Sequence, residues 1–149
     1  MRVLIQRVLK ASVQVDLSIV GSIEKGLLVF VGVGESDTAE DRAYLIQKIL
    51  QLRIFSDSDG KMNLSVQDVK GDLLVVSQFT LYADTKKGNR PSFIKGASPA
   101  LANEQYELFL QELKQKSGLF LANGDFGADM KVRLVNDGPV TIWMDSQHR

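Results

Sequence analysis

The sequence predicts an α/β or α+β domain in which a mixed or largely antiparallel sheet is combined with two helices. Segments 36–55 and 98–118 carry apolar residues at helical spacing and supply the helices. Segments rich in Val, Ile and Leu stand before, between and after them, which indicates strands. Because these strands come in groups, the order differs from the regular alternation of a doubly wound fold.

The chain opens with strands. Residues 1–15 alternate in polarity, which predicts one or two strands. Residues 17–34 continue with strands punctuated by glycine, and the run 29–33 has the apolar character of a central strand that is buried on both faces.

The first helix follows this group. Asp37 and Glu40 have the spacing of a capping box, and apolar residues between 45 and 50 recur at helical spacing. Residues 56–63 predict a turn, and residues 72–82 predict the strand that separates the helices.

The second helix follows a loop at residues 83–98. Ser98 suits its N-cap, Pro99 suits its first turn, and Gly118 predicts its end. Three further strands are predicted over residues 118–122, 129–135 and 139–145.

Composition narrows the function classes. The length of 149 residues suits one domain over residues 1–149, and the absence of cysteine excludes a disulfide framework, thiolate metal ligands and a cysteine nucleophile. No stretch approaches the roughly 18 apolar residues of a membrane span. The charged first ten residues are not typical of a signal peptide. We therefore expect a cytoplasmic protein with no membrane partner.

Several common catalytic centres are also missing. The only histidine, His148, stands next to the end, so a Ser-His-Asp relay is not expected. No histidine or cysteine cluster suggests zinc, and we expect no metal and no cofactor. The net charge is zero, so any nucleic-acid contact must come from a local patch, and we expect no DNA partner.

Two segments carry polar or unusual residues inside strand-like sequence. Ser77, Gln78 and Thr80 interrupt the apolar run that begins at Leu73, so they either face solvent at a strand end or line a site. The segment 136–143 contains Asn-Asp-Gly-Pro, for which a hairpin turn is the default interpretation. A Gly-Pro pair also exposes bare carbonyl groups that could contact a ligand.

A basic loop lies between the strand and the second helix. Lys86, Lys87, Arg90 and Lys95 fall in one segment together with Phe93. The charges could contact a phosphate backbone, or they could form a solvated loop that resists aggregation. Charge count alone favours neither interpretation.

Taken together, these segments resemble the D-aminoacyl-tRNA deacylases, also called D-tyrosyl-tRNA deacylases. SQFTL at 77–81 and NDGPVT at 136–141 are similar to the two signature motifs of that family. The first strand has Arg7 in the matching place, and residues 86–93 resemble the basic loop of the family. The likeness runs from end to end, and two motifs in the right order are more specific than either one.

The resemblance implies a homodimer with a curved, barrel-like sheet. It implies hydrolysis of the ester that joins a D-amino acid to the terminal adenosine of tRNA, and also of glycine on the mismatched tRNA(Ala). The partners implied are a second copy of the chain and the aminoacylated 3′ end of tRNA. The activity would serve to proofread chirality in translation.

Roles for individual residues follow from this resemblance. The N–H groups of Phe79 and Thr80 would polarise the ester carbonyl, and Ser77 and Gln78 would orient substrate or water. A cis Gly138–Pro139 pair would reach into the partner's pocket and hold the α-amino group. Supporting contacts are assigned to the following residues: Arg7, Asn136, Lys86, Lys87 and Arg90.

Alternatives remain open at this stage. Thr80 could be a nucleophile, although no base lies near it in sequence, which leaves its hydroxyl weak. The chain could be a non-catalytic RNA-binding module that uses the basic loop and the 32–36 turn. It could also be a structural dimerisation domain, or a broader esterase with no chirality filter.

Overall fold

The predicted combination of a curved mixed sheet and two helices is confirmed. The computed structural model describes residues 1–149, and its elements follow in chain order. They are β1 (Arg2–Val15), β2 (Ser18–Ile23), β3 (Gly26–Gly32), α1 (Ala39–Gln51), β4 (Phe55–Ser56), β5 (Met62–Leu64), β6 (Asp72–Ser77), a 3₁₀ turn (Phe79–Tyr82), α2 (Pro99–Ser117), β7 (Leu121–Asn123) and β8 (Met130–Asp145).

Strand β1 organises the sheet, whose order is β2-β1-β3-β6-β7 with β8 also paired to β1. Its first half pairs antiparallel with β3 and its second half with β2, while β8 runs antiparallel along nearly its whole length. Strands β3, β6 and β7 are mutually parallel. The sheet curls until β2 meets β7, where a Cβ on Gly21 would lie 2.7 Å from the Asn123 carbonyl oxygen. The sheet is therefore nearly closed.

Alternation along the strands builds a core on each face of the sheet. Successive side chains of a strand point to opposite faces. Leu27, Val29 and Val31 of β3 pack towards the two helices, in the larger core. Leu28 packs inside the curl, in a smaller core with residues of β1 and β6. The two helices therefore cover one face, and the other face closes on itself.

The two helices are joined by polar contacts as well as by the core. Arg42 of α1 is buried and donates to Glu112 at 2.8 Å and to Gln105 at 2.6 Å, both on α2. The Tyr106 hydroxyl donates to the Val75 carbonyl at 3.0 Å and ties α2 to the sheet. Neither helix has the length and apolar character that a membrane crossing requires.

The predicted cap of α1 is wrong in its residues. The capping box is formed by Thr38 and Asp41, whose side chains each accept from the other's backbone N–H. Burial raises the pKa of Asp41, but hydrogen bonding from Thr38 and Ser146, together with the positive charge of the N-terminus, outweighs it and holds the pKa below its usual value. Asp37 instead accepts from the Gly34 N–H at 2.6 Å and from the amino group of Met1.

Two strand predictions are also corrected. The strand predicted over 72–82 ends at Ser77, after which the chain turns into the 3₁₀ segment. The strands predicted over 129–135 and 139–145 are one strand, β8, so the segment between them is not a hairpin turn. Both departures occur where polar residues interrupt an apolar run, and both lie at the site described below.

The caps of the two helices differ in a way that can be measured. Replacing Thr38 with Ala should lower the free energy of unfolding by about 1 kcal/mol, because the side chain accepts from the Asp41 N–H. Ser98 sits at the N-cap of α2, but its side chain makes no such bond. Ser98→Ala should therefore change the free energy of unfolding by less than about 0.5 kcal/mol. Urea unfolding of both variants checks this. Equal losses would contradict the assignment.

Candidate active site

A cleft of about 510 Å³ opens where β3 and β6 end. Because the two strands are parallel, their carboxyl ends meet at one edge of the sheet, where ligand sites of open α/β sheets commonly form. Ser77, Gln78 and Phe79 line the cleft on the sheet side. The first turns of α2 and the loop before β8 line the rest, through residues that include Tyr106 and Phe126.

The chain changes direction at the end of β6. The Gln78 N–H still donates to the Val31 carbonyl at 2.7 Å, as if the ladder continued. The 3₁₀ turn then begins, and the first N–H groups of a helical segment have no partner inside it. The N–H groups of Phe79 and Thr80 have no side-chain cap and no backbone acceptor outside the turn. They are free to donate to a ligand.

The Thr80 side chain is occupied by a local contact. Its hydroxyl oxygen accepts a hydrogen bond from the amide nitrogen of Gln78. It has no contact with a histidine, lysine or carboxylate that could act as its base, and it does not line the cleft. The arrangement favours a structural role for the hydroxyl over that of a nucleophile.

The basic loop lies beside this turn. Phe79 is 62% exposed and packs edge to face on Phe93, with ring centroids 4.9 Å apart. The base of the loop is closed by reciprocal bonds between Asp84 and Ser92, at 2.8 and 3.0 Å. The Lys86 N–H donates to the Asp84 carboxylate, which holds the pKa of Asp84 below its usual value.

The loop presents its charges to solvent. Lys86, Lys87 and Arg90 are exposed and take part in none of the ion pairs of the structure. Lys95, by contrast, lies 3.6 Å from Asp84 and belongs to the base of the loop. Three free cations therefore belong to the loop whose Phe93 lines the cleft beside Phe79.

The second signature segment forms an excursion of β8. Gln6 pairs with Thr141 and Val8 pairs with Asn136, so residues 137–140 stand opposite Arg7 alone. Asn136 closes the base of this excursion. Its side-chain amide donates to the Val140 carbonyl at 3.0 Å, and its side-chain oxygen accepts from the Val140 N–H at 2.8 Å.

Arg7 supports the excursion from below. Its guanidinium is buried, donates to the Asp137 carbonyl at 2.9 Å and also donates to the Ile54 carbonyl. It forms an ion pair with the Asp137 carboxylate at 3.2 Å. Arg7 and Asn136 therefore support the excursion through its ends, Asp137 and Val140. They can position residues 138 and 139 without facing a ligand themselves.

Gly138 and Pro139 form the exposed tip, and the peptide bond between them is cis. Gly138 has φ +151°, and a Cβ there would lie 2.6 Å from the Val140 nitrogen, so glycine is required. Neither residue lines the cleft of its own chain. The tip lies outside the β1–β8 pairing and is exposed to solvent.

Other predicted features resolve simply. The glycine-containing turn after β3 is not a free anion site, because the Asp37 carboxylate already accepts from the Gly34 N–H. His148 is exposed and lies 3.4 Å from Asp145. Asp57 accepts from the N–H groups of Asp59 and Lys61 as a turn residue. No group of His, Asp and Glu side chains has metal-binding geometry.

Sequence reasoning missed part of the cleft. The wall formed by Phe126 and Ala128 comes from the loop before β8, which the pairing of β7 with β6 brings to the cleft. No local motif marks these residues. The Gly127 turn, at φ +76°, is a loop signal without a functional one.

Comparison with known proteins identifies relatives of the whole chain. A family model described as D-Tyr-tRNA(Tyr) deacylase matches residues 4–145. A solved structure of a "c-Myc DNA Unwinding Element Binding Protein" is 38% identical, with a TM-score of 0.92, and the match covers 97% of this chain and 98% of that one. A "probable eukaryotic D-amino acid tRNA deacylase" is 18% identical with a TM-score of 0.82, covers 96% and 97% of the two chains, and shares the fold.

Proposed function

This chain belongs to the D-Tyr-tRNA(Tyr) deacylase family, and we propose that it hydrolyses D-aminoacyl-tRNA while its Gly138–Pro139 tip rejects L-aminoacyl-tRNA. The family makes the chain a hydrolase of the D-aminoacyl-tRNA deacylase type. The observation that carries the mechanism is the pair of unpartnered N–H groups at Phe79 and Thr80, beside the cleft.

The reaction needs little more than these donors, because an aminoacyl ester is already activated. Water adds to the ester carbonyl carbon, and the N–H groups of Phe79 and Thr80 stabilise the negative charge that forms on the oxygen. Each such donor is worth about 2.7–4 kcal/mol in the transition state. The carbonyl then re-forms and the bond to the ribose oxygen breaks. The 2′-hydroxyl of the substrate relays the proton of the water to that leaving oxygen.

Ser77 and Gln78 orient the substrate and the water. Both line the cleft beside the donors, and Gln78 is itself held by the Thr80 hydroxyl. No protein nucleophile is required, which agrees with the missing triad.

Chirality is selected by the main chain of the tip. The carbonyl groups of Gly138 and Pro139 hold the α-amino group, so an L side chain would point into the backbone and a D side chain would point to solvent. A rigid steric barrier is needed, since one methylene in a pocket is worth only about 1–3 kcal/mol. Glycine has no side chain to reject, so glycyl-tRNA(Ala) is a further substrate. The biological role is the proofreading of aminoacyl-tRNA in the cytoplasm.

The tip acts in the cleft of a partner subunit. Gly138 and Pro139 are exposed and do not line the cleft of their own chain, which supports a homodimer with two shared sites. The excursion is held from inside by Arg7 and Asn136, so it can enter a neighbouring cleft without reordering. The cations of Lys86, Lys87 and Arg90 then contact the phosphates of the tRNA 3′ end.

The function is tested with D-tyrosyl-tRNA and L-tyrosyl-tRNA. The protein should hydrolyse only the D-ester above the spontaneous rate, followed by loss of labelled amino acid from tRNA. Because one relative is named for DNA binding, single-stranded DNA is added as a competitor and should not inhibit. Binding of tRNA without hydrolysis would indicate an RNA-binding module. Equal loss of both esters would indicate an esterase without a chirality filter.

The role of Thr80 is tested by removing its hydroxyl. Thr80→Ala should keep turnover of the D-ester within about tenfold of wild type, because the N–H group that does the work is retained. Thr80→Ser, which keeps the hydroxyl, is the matched control. Complete loss in Thr80→Ala, with normal folding by circular dichroism and normal activity of Thr80→Ser, would show that the hydroxyl is required and would contradict a reaction that depends on the Thr80 N–H group alone.

The tip is tested by adding one methyl group. Gly138→Ala should lower D-ester turnover by about 100-fold, because the clamp is displaced by a Cβ that meets the Val140 nitrogen. Gly60→Ala is the control, since Gly60 also has a positive φ, +77°, but has nothing within 4 Å of its Cβ position. Unchanged D-ester turnover and unchanged L-rejection in Gly138→Ala would contradict the clamp.

A further inference from the structure

Arg2 contacts the 3₁₀ turn, Phe79–Tyr82, whose first two N–H groups are the proposed donors. Its guanidinium donates to the Leu81 carbonyl at 3.0 Å and to the Asp145 carboxylate at 3.0 Å. The same group lies 4.4 Å from the ring centroid of Tyr82 and 5.6 Å from that of Trp143. One side chain therefore joins the 3₁₀ turn to the end of β8.

We propose that Arg2 is a positioning residue for the deacylation reaction, which fixes the 3₁₀ turn so that the Phe79 and Thr80 N–H groups point at the ester carbonyl. This inference rests on the proposed function. The donors stand at the amino end of the turn, and Arg2 holds its carboxyl end. The last carbonyl groups of a helical segment lack partners, and a cation is favourable there.

The 3₁₀ turn packs closely against β3 at Gly32. Gly32 pairs with Arg2 across the β1–β3 ladder. A Cβ on Gly32 would lie 3.1 Å from both the Gln78 carbonyl oxygen and the Leu81 Cβ. The turn therefore lies flat on β3, with Arg2 beside it, and a small shift of the turn would move both donors together.

Tyr82 completes the support. Its ring is buried below the Arg2 guanidinium, and its hydroxyl donates to Asp37 at 3.2 Å. A Cβ on Gly34 would lie 2.6 Å from the same hydroxyl, so the ring is closely confined. The turn is thus held at Leu81 and Tyr82 while its donor end stays open to a ligand.

The contacts of Arg2 need a guanidinium. One nitrogen binds a carbonyl, another binds a carboxylate, and the plane covers aromatic rings, which a lysine cannot reproduce. Arg2 is not among the residues that line the cleft, so it acts on the reaction through the turn.

The test compares Arg2→Ala with Arg53→Ala. Arg53 also donates to a backbone carbonyl, that of Asn63 at 2.8 Å, but it makes no hydrogen bond to the 3₁₀ turn and does not line the cleft, so it is the matched control. Arg2→Ala should lower kcat for D-aminoacyl-tRNA about 10-fold to 100-fold and leave KM within about twofold. Millimolar guanidinium should restore part of the kcat of Arg2→Ala and have no such effect on Arg53→Ala. Arg2→Lys should rescue less than guanidinium.

A second readout does not depend on activity. Amide hydrogen exchange at Leu81 and Ala83, whose N–H groups donate to the Gln78 and Thr80 carbonyls, should become faster in Arg2→Ala than in wild type and in Arg53→Ala, because the turn loses its anchor. Wild-type kcat or unchanged exchange in Arg2→Ala would overturn the inference, as would a raised KM with unchanged kcat. If wild type itself leaves the D-ester intact, the proposed function fails, and the exchange experiment still decides whether Arg2 holds the turn.

Discussion

The buried guanidinium of Arg7 is the contact on which the shape of the candidate site most depends. A charge taken out of water is costly unless it is paired and fully hydrogen-bonded, and Arg7 meets this condition only when residues 137–140 leave the β1–β8 ladder. Its bonds to Asp137 and Ile54 connect the excursion to the β4 region. The Asn136 side chain closes the same excursion from its other end. An exposed backbone tip is thereby built on buried side-chain contacts.

The 3₁₀ turn shows the same division between backbone groups that face a ligand and side chains that support them. Phe79 and Thr80 offer main-chain N–H groups, while side chains behind them, those of Arg2 and Tyr82, keep the turn in place. In the proposed account both groups that contact the aminoacyl ester belong to the backbone, one set as donors and one as acceptors. Backbone contacts do not depend on the amino-acid side chain of the substrate. That suits an enzyme which must accept many D-residues and discriminate by geometry alone.

The sequence predicted the architecture of the fold more accurately than it predicted the local backbone geometry at the candidate site. Apolar periodicity was enough for both helices and for the long strands of the main sheet, but the short strands β4 and β5 were not predicted, because residues 56–63 carry turn signals. Polar residues at 77–80 and 136–141 stand where strands depart from regular pairing. The predicted hairpin at 136–139 was wrong, because a turn signal does not reveal that residues on both sides pair with one strand. The cap at Thr38 was missed because Asp37 has similar local chemistry, and its carboxylate is drawn away by Gly34 and Met1. The roles of Arg2 and of the Phe126 wall depend on contacts distant in sequence, which no local pattern encodes.

The most direct test of this account is complementation between two inactive subunits. Ala128→Trp fills the cleft from its loop, and Gly138→Ala disables the tip. If the tip of one subunit completes the cleft of the other, mixed dimers contain one site with both parts intact. Co-expression in equal amounts should then restore about one quarter of the wild-type rate on D-tyrosyl-tRNA, since half of the dimers are mixed. A mixture no more active than its parents would contradict a site shared between subunits.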